Sequence, residues 1–258
     1  MSKLKQLITT IRQHPYYPPI RNIFLLTLGL FILWQLINLY RAATDPRNQQ
    51  FYSWWRGDDA TRAQLITTTQ DTCPQAPFLL PSEGFIGLLY ADPRGPYSAR
   101  RPHQGIDIFS NADPGLTPVY AAADGYITRE SNWRSSLIQR IPHDPLQPDR
   151  QIWLYYTHMA RHGTTDSDFI EPAFPPGTRD FFVERGTLLG YTGNFNGSAP
   201  NPVGTHLHFS IIKDTGNGSY TNELDFNNSI DPSPYLGLNV HYDCQPTNSQ
   251  TCTLTPTC

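Results

Sequence analysis

The sequence predicts a mainly β protein with an antiparallel β-sheet core, preceded by one apolar helix. Between residues 79 and 240, short segments rich in Ile, Val, Tyr, Phe and Thr are each bounded by Gly, Pro, Asn or Asp. Such segments form strands joined by turns. No stretch in this range has the 3.6-residue apolar period of an amphipathic helix. The apolar helix is predicted from a separate run of 18 residues near the N-terminus.

Eight segments of this region are predicted as strands: Phe85–Tyr90, Gly105–Phe109, Val119–Ala122, Tyr126–Arg129, Gln151–Thr157, Phe181–Val183, Leu188–Thr192 and Thr205–Ile212. Three longer segments between them are predicted as loops: Glu130–Asp149, Ala160–Arg179 and Gly193–Gly204. Long loops in a compact domain are often functional, so we expect these to border a site.

Residues 23–40 predict a transmembrane anchor. These 18 residues, IFLLTLGLFILWQLINLY, would form a helix of about 27 Å, close to the ~30 Å of a hydrocarbon core. Trp34 and Tyr40 lie towards the outer end, where aromatic rings favour the interface. A cleaved signal peptide is the alternative, but its apolar region is usually ~7–15 residues and ends in small residues. Here Arg41 stands two residues before Ala43, the nearest candidate.

The flanking charges predict the orientation of this anchor. Residues 1–22 carry four basic residues and no acidic one, whereas both signs are mixed after residue 40. The positive-inside rule places the N-terminus in the cytoplasm and the rest outside, as a single-pass protein of the inner membrane. The expected segments are a cytoplasmic N-terminus at 1–22, the anchor at 23–40, a stalk at 41–78 with a helix near Trp54–Ile66, a domain at 79–240 and a Cys-containing tail at 241–258.

The composition excludes one class of partner. The 258 residues carry 19 Lys and Arg against 22 Asp and Glu, a net charge of −3. Outside the N-terminal segment the basic residues do not cluster, and nucleic-acid binding needs clustered Lys and Arg to contact phosphates. We therefore expect no nucleic-acid partner.

All four cysteines, Cys73, Cys244, Cys252 and Cys258, follow the predicted anchor. An even number in an oxidising compartment predicts two disulfides, with three pairings open. We favour Cys73–Cys244, which would close the ends of the domain, and Cys252–Cys258 in the tail. A zinc site made of cysteines is the alternative, but the sequence contains no C-x-x-C pair.

The first candidate for chemistry is the pair His103 and Asp107 in RPHQGIDI. Four residues of a regular strand span about 13 Å, too far for two ligands of one metal. A helix would bring them together, but Gly105 and its β-branched neighbours disfavour one. We therefore expect a bend at Gly105, with His103 on a loop and Asp107 entering a strand. On its own the spacing is also consistent with a chance surface pair.

The second candidate is the pair His206 and His208 in THLHF. Residues two apart on a strand face the same side, so both imidazoles can reach one site. They could both bind a metal, or one could bind it while the other exchanges protons. An exposed face of an edge strand is the alternative. His158 ends the apolar strand of LYYTHM and, taken alone, would be an ordinary polar residue.

Together these residues predict metal-assisted hydrolysis. One carboxylate and two imidazoles make a three-ligand zinc set, with the fourth position left to water. Two more histidines nearby could handle protons. Other hydrolase classes lack support, since H-E-x-x-H and G-x-S-x-G are both missing from the sequence.

The order of the motifs resembles that of the lysostaphin-like (LytM-type) zinc endopeptidases. RPHQGIDI, TPVYAAADGYIT, LYYTHM, VERGTLLGYTGN and GTHLHFSI follow one another between about residues 83 and 213. The resemblance implies an antiparallel, duplicated-hybrid-motif-like sheet that forms the floor of a groove walled by four loops.

The resemblance also assigns roles that spacing alone leaves open. It implies one Zn²⁺ per chain, held by His103, Asp107 and His208. The catalytic pair would be His158 and His206, one of which takes the proton of the attacking water. A tyrosine sometimes assists the oxyanion in this family, and the candidates here are Tyr97 and Tyr156.

The implied function is a membrane-anchored zinc metalloendopeptidase that hydrolyses cross-links or stem peptides of peptidoglycan. Its partners would be that peptide, the membrane through residues 23–40, and a regulatory protein that the sequence does not identify. A non-catalytic docking or activator module for another wall hydrolase is the alternative, although such relatives typically lack a zinc ligand. The loop Ala160–Arg179 is longer than in compact members, and Glu130–Asp149 lacks the usual Gly-rich turn, so the bond cleaved stays open.

Overall fold

The structure, a computed structural model, describes residues 17–94, 96–164, 168–197 and 199–242. The chain divides into two compact units, Met1–Gln49 and Gln50–Cys258. The first contains the apolar helix, and the second contains the β-sheet with the candidate site.

The apolar run lies within helix α1, Tyr17–Thr44. Its segment Arg21–Thr44, 24 residues long, is apolar enough to cross a membrane, and none of its most apolar window is buried. A signal sequence would meet the same criterion of length and composition. Most of the basic residues that predict the orientation precede residue 17 and lie outside the described residues. The orientation and the inner-membrane location therefore stay predictions.

Two shorter helices follow, α2 at Pro46–Arg56 and α3 at Asp59–Ala63. The sequence predicts one helix near Trp54–Ile66, and the structure interrupts it between α2 and α3. Asp58 caps α3, because its carboxylate accepts a hydrogen bond from the Thr61 N–H at 2.9 Å. From Gln50 onward these helices belong to the second unit. This part of the predicted stalk therefore packs against the β domain.

The second unit is built on an antiparallel sheet, whose strands β1 to β10 are Phe85–Leu88, Ile106–Phe109, Pro118–Tyr120, Gly125–Thr128, Leu137–Ile141, Ile152–Thr157, Phe181–Val183, Leu188–Tyr191, His206–Lys213 and Ser229–Ile230. Eight strands form one sheet in the order β1-β2-β9-β6-β5-β4-β7, with β10 paired to β9. Strands β3 and β8 form a separate two-stranded sheet. The predicted antiparallel core is confirmed, and each predicted strand starts within one residue of its expected position.

One strand lies where the sequence predicts a loop. Strand β5 falls inside Glu130–Asp149 and pairs with β4 and β6. Its sequence, LIQRI, places two polar residues among apolar ones, which hides the strand pattern. In the fold Gln139 is fully buried; its amide donates to the Ala123 carbonyl at 2.6 Å and accepts from the Tyr156 hydroxyl at 2.8 Å. These partners are distant in sequence, so local reasoning could not find them.

The end of the domain also contains elements that the sequence does not predict. A 3-10 turn at Phe226–Asn228 leads into β10, and a short helix α4 follows at Ser233–Leu236. Tyr235 of α4 is buried and stacks on Phe78 with ring centroids 4.9 Å apart. This segment covers part of the core under the sheet.

Strand β9 shows how the sheet separates the core from the candidate site. Leu207, Phe209 and Ile211 are fully buried in the main core. His206 and His208 face the other side, because neighbours along a strand point in opposite directions. That side of β9, with the same side of β2 and β6, forms the floor of the site.

The disulfide prediction falls largely outside the described residues. Cys73 is buried, whereas Cys244, Cys252 and Cys258 lie in the range 243–258 that the structure does not describe. Both pairings therefore stay predictions, as does the structure of the tail.

Candidate metal centre and groove

The register of three neighbouring strands brings the candidate residues together. Between β2 and β9, Asp107 pairs with His208 and Phe109 pairs with His206. On the other side of β9, Thr157 of β6 also pairs with His208. Directly paired residues of antiparallel strands have Cβ atoms about 4.5–5.5 Å apart. Strand pairing thus places a carboxylate and two imidazoles side by side.

His103 reaches this cluster from the loop before β2. The backbone bends at Gln104 and Gly105, as the sequence predicts. Glycine is needed at 105, because a Cβ there would lie 2.3 Å from the carbonyl oxygen of Phe209. The bend lets His103 and Asp107 converge although four residues separate them.

Three potential ligand atoms form a tight triangle. His103 Nε2 lies 3.0 Å from His208 Nδ1 and 3.2 Å from Asp107 Oδ1. His208 Nδ1 lies 2.8 Å from Asp107 Oδ1. Ligand atoms of a tetrahedral zinc site are about 3.3 Å apart, given bonds of ~2.0–2.1 Å. These buried residues, the three predicted as ligands, could therefore hold one metal ion.

Hydrogen bonding identifies the nitrogen of His103 that faces the triangle. Its Nδ1 lies 3.0 Å from the carbonyl oxygen of Leu89, which can only accept. Nδ1 therefore carries the proton, and Nε2 presents a lone pair. That lone pair, the Asp107 carboxylate and His208 Nδ1 face one another. With Nδ1 of His208 deprotonated, all three are acceptors that can share one metal ion.

The ionisation of Asp107 also supports a cation at this site. Burial raises the pKa of Asp107, but the electrostatic influence of the surrounding histidines and its hydrogen bonds with them outweigh burial and hold the pKa well below its usual range. A buried carboxylate that stays ionised needs a positive partner. Burial also lowers the pKa of His208, which favours the neutral form that binds metals.

His158 and His206 lie together beside the triangle, with ring centroids 4.5 Å apart. His206 Nε2 is 3.7 Å from Asp107 Oδ1. The Nδ1 atoms of His158 and His206 are each 2.6 Å from a carbonyl oxygen, of Phe195 and Gly204 respectively. Each Nδ1 therefore donates, and each Nε2 is left with a lone pair.

Both rings favour the neutral state. Burial lowers the pKa of His206 to about 4, and burial is the largest cause that lowers the pKa of His158. A neutral imidazole with a free Nε2 can accept a proton at neutral pH. The pair is thus suited to proton transfer next to the potential metal ligands.

The backbone is strained where β6 delivers His158. Its φ is +71°, in the left-handed region that residues other than glycine rarely adopt. Gly193 packs against this turn, and a Cβ there would lie 2.3 Å from the Ala160 carbonyl oxygen and 2.4 Å from that of His158. Strain of this kind is concentrated at functional sites.

A cavity of about 890 Å³ opens over the cluster. Its floor includes Asp107, His158, His206 and His208, and its walls include Trp55, Tyr97, Ser135, Ser136, Phe195, Val203 and Leu224. The predicted loop-walled groove is thus present. Two of the predicted loops, Glu130–Asp149 and Gly193–Gly204, contribute to its walls. The described residues of the third, Ala160–Arg179, do not line it.

The two tyrosine candidates have different positions. Tyr97 lines the groove and stacks on His103 with ring centroids 4.4 Å apart. Burial raises the pKa of Tyr97, so its phenol stays protonated. Tyr156 is fully buried in the core, where its hydroxyl accepts from the Ala122 N–H at 3.0 Å. The prediction for Tyr156 is wrong, because strand alternation turns Tyr155 to the groove instead.

The sequence did not reveal several groups that contact the candidate histidines or line the groove. Phe109 stacks on His206 at 4.9 Å, and its place two residues after Asp107 on one strand was an available signal. The main-chain carbonyls of Leu89, Phe195 and Gly204, which accept hydrogen bonds from the histidines, could not be predicted from the sequence, because every residue type has a carbonyl. Trp55 was assigned to the stalk, and only the fold brings it to the groove.

The chain is similar to lysostaphin-type peptidases of known structure. It is 21% identical to the catalytic domain of the antimicrobial peptidase lysostaphin from Staphylococcus simulans, over 52% of this chain and 79% of that one, with a TM-score of 0.31. For the antimicrobial peptidase lysostaphin in a longer form the identity is 23%, over 74% and 60% of the two chains, with a TM-score of 0.34.

A zinc-containing peptidase from Vibrio cholerae is also similar, at 16% identity over 60% of this chain and 38% of that one, with a TM-score of 0.29. The alignment thus spans less than two thirds of this peptidase and of the longer lysostaphin chain. No family model matches the sequence, and no curated protein matches it. With identities below 25% and TM-scores below 0.5, activity has to be inferred from the site itself.

Proposed function

We propose that this protein is a zinc metalloendopeptidase that hydrolyses peptide links of peptidoglycan. The proposal is carried by the buried triangle of His103, Asp107 and His208 on the floor of an open groove. Three protein ligands with space on one side are typical of catalytic zinc sites, whereas structural sites are closed by four ligands.

The donor set fits zinc. Two imidazole nitrogens and one carboxylate oxygen are ligands that zinc binds in hydrolases, and the described residues place no thiolate in the cluster. When bound, zinc supplies a Lewis acid and makes water a nucleophile at neutral pH.

His158 and His206 would carry the protons of the reaction. Each donates its Nδ1 proton to a carbonyl and keeps Nε2 available. One Nε2 would accept the proton of the attacking water, and the pair would then return a proton to the nitrogen of the leaving amine. Burial lowers the pKa of both rings and so favours the neutral form that a proton acceptor needs.

The groove suits a peptide main chain. Among its described lining residues, Asp107 is the single carboxylate and neither Lys nor Arg occurs. Ser135, Ser136 and Tyr155 line the groove, and the Tyr155 hydroxyl donates to Ser136 at 3.1 Å, so this part of the lining offers neutral hydroxyl groups to a peptide. Peptidoglycan is favoured over other peptides by the ordered motifs between residues 83 and 213 and by the predicted position outside the cytoplasm.

We further propose that α1 anchors the protein in the inner membrane, with the β domain on the outer side. The length and apolar composition of Arg21–Thr44 support this. An enzyme held in this way would act on cell wall close to the membrane.

Digestion of purified sacculi by the full chain in detergent micelles, with mass analysis of the products, tests the function and identifies the bond. We expect released peptides with the zinc-loaded protein and none after chelation. The matched control is His206→Ala, which should retain zinc and release peptides at least about 100-fold more slowly.

The same experiment separates the enzyme from the docking module. A docking module would release nothing by itself with zinc bound, yet would stimulate a second wall hydrolase. That result would contradict the proposed function.

A further inference from the structure

We propose that helix α2 positions the catalytic His206 through Trp55, which makes the predicted stalk a part of the catalytic unit. The inference rests on the proposed function, because it concerns the proton-transferring histidine of that site. Trp55 is a positioning residue in this proposal and does not itself take part in the chemistry.

The first link between Trp55 and His206 is Phe109. Trp55 and Phe51 lie one helical turn apart and therefore share a face of α2. Their rings meet Phe109 at steep angles, with centroids 5.8 Å and 6.0 Å away. Phe109 stacks on the imidazole of His206, with centroids 4.9 Å apart and planes at 28°. The Phe109 ring thus packs against His206 on one side and against α2 on the other.

The second link is Gly204. A Cβ on Gly204 would lie 2.4 Å from Cη2 of Trp55, so the indole lies directly against this residue. The carbonyl oxygen of Gly204 accepts the Nδ1 proton of His206 at 2.6 Å. Trp55 therefore contacts both the ring that stacks on His206 and the residue that decides which nitrogen of His206 is protonated.

The helix is also held by contacts that do not involve His206. Trp54 is only 4% exposed and stacks on Phe85 with centroids 5.2 Å apart. The Arg62 side chain donates to the Trp54 carbonyl at 2.9 Å. The Arg94 guanidinium lies 5.6 Å from the centre of the Phe51 ring. These contacts hold α2 in place. They therefore fix the position of Trp55, although this residue is 51% exposed.

The kinetic test compares three variants of the zinc-loaded full chain in detergent micelles. Trp55→Ala should lower kcat about tenfold, since a small misplacement of a catalytic group is costly. KM should change less than kcat, because Trp55 acts on His206, and zinc content should not change, because the ligands are elsewhere. Trp55→Phe should recover most of the rate. Tyr52→Ala, on the same helix but 70% exposed, should match the wild type.

A second readout does not need activity. Diethyl pyrocarbonate modifies accessible imidazoles, and fragmentation of a peptide containing residues 186–213 distinguishes His206 from His208. His206 is 4% exposed, so we expect slow modification in the wild type and in Trp55→Phe. In Trp55→Ala the rate at His206 should rise several-fold, while zinc-protected His208 serves as the internal reference.

Gly204→Ala tests the same contact from the other side. Its methyl group would displace the far end of the indole ring and should lower kcat as Trp55→Ala does. When Trp55 is already alanine, adding Gly204→Ala should lower kcat little further. Independent, additive losses would show that the two residues do not act through one another.

The inference and the proposed function can fail separately. A wild-type protein without activity would contradict the function, yet the modification rates would still test the contact. If Trp55→Ala has the wild-type kcat and the wild-type modification rate at His206, the inference is wrong, whereas the proposed function is unaffected.

Discussion

At the residue scale, the site depends on which nitrogen each histidine turns towards the groove. His103, His158 and His206 each donate Nδ1 to a main-chain carbonyl. His208 is reversed, because its Nδ1 faces Asp107 while its Nε2 is buried with no hydrogen-bond partner among the described residues. This reversal favours His208 as the metal ligand and His206 as the proton acceptor, a choice that H-x-H spacing leaves open.

The two histidines of THLHF should therefore respond differently to truncation. His208→Ala removes a ligand atom from the triangle, so both zinc and activity should be lost. His206→Ala leaves all three ligands, so zinc should stay near one per chain while turnover falls about 100-fold or more. Elemental analysis and product release measure the two quantities. Full zinc and full activity in both variants would show that the roles are misassigned.

At the element scale, strand pairing builds the site more than any loop does. Asp107, His208 and Thr157 meet because β2, β9 and β6 are neighbours in register. A shift of one residue would turn every side chain of a strand to the opposite face. The alternation of β9 was readable from the sequence, whereas its neighbours were not, because antiparallel partners can be far apart along the chain.

Gly105→Ala should damage this register. The added Cβ would lie 2.3 Å from the Phe209 carbonyl oxygen, and a backbone atom cannot move aside as a flexible side chain can. We expect a loss of about 1–3 kcal/mol in unfolding free energy together with weaker zinc binding, measured by thermal unfolding and metal titration. Gly29→Ala is the control, since its Cβ would meet nothing within 4 Å and its backbone is not in the left-handed region. Wild-type zinc affinity in Gly105→Ala would contradict this role.

At the scale of the whole molecule, the chain joins an apolar helix to a β domain that carries the site. The segment before the domain is not merely a linker, because Trp54 and Phe51 pack with Phe85 and Phe109 in one apolar cluster. Composition predicted a polar, mixed stalk here. The few aromatic residues that attach this segment to the domain do not show, from the local sequence, which residues they pack against.

Topology can be measured with reporters fused after residue 60. We expect an alkaline phosphatase fusion to be active, since that enzyme folds outside the cytoplasm, and a fluorescent protein that folds in the cytoplasm to stay dark. The reverse pattern would contradict the predicted orientation.

Thiol titration of the unreduced protein tests the predicted disulfides. Two disulfides leave no titratable thiol under denaturing conditions, and reduction should release four. Peptide mapping would then distinguish Cys73–Cys244 with Cys252–Cys258 from the other pairings. Four thiols before reduction would exclude disulfides.

The sequence by itself determined the class of the fold, the starts of most strands and the residues that the site brings together. The fold class and the strand starts follow from local signals, namely turn residues, two-residue alternation and the apolar length of α1, whereas the set of site residues rests on the order of the motifs and the family resemblance that it carries. Only the tertiary structure decided the strand order, the buried strand β5, the core position of Tyr156 and the docking of α2. Each depends on contacts between residues far apart in sequence, such as Gln139 with Ala123 or Trp55 with Gly204. The ligand triangle needed both, since the residue types were visible in the chain and their 2.8–3.2 Å separations arise from the fold.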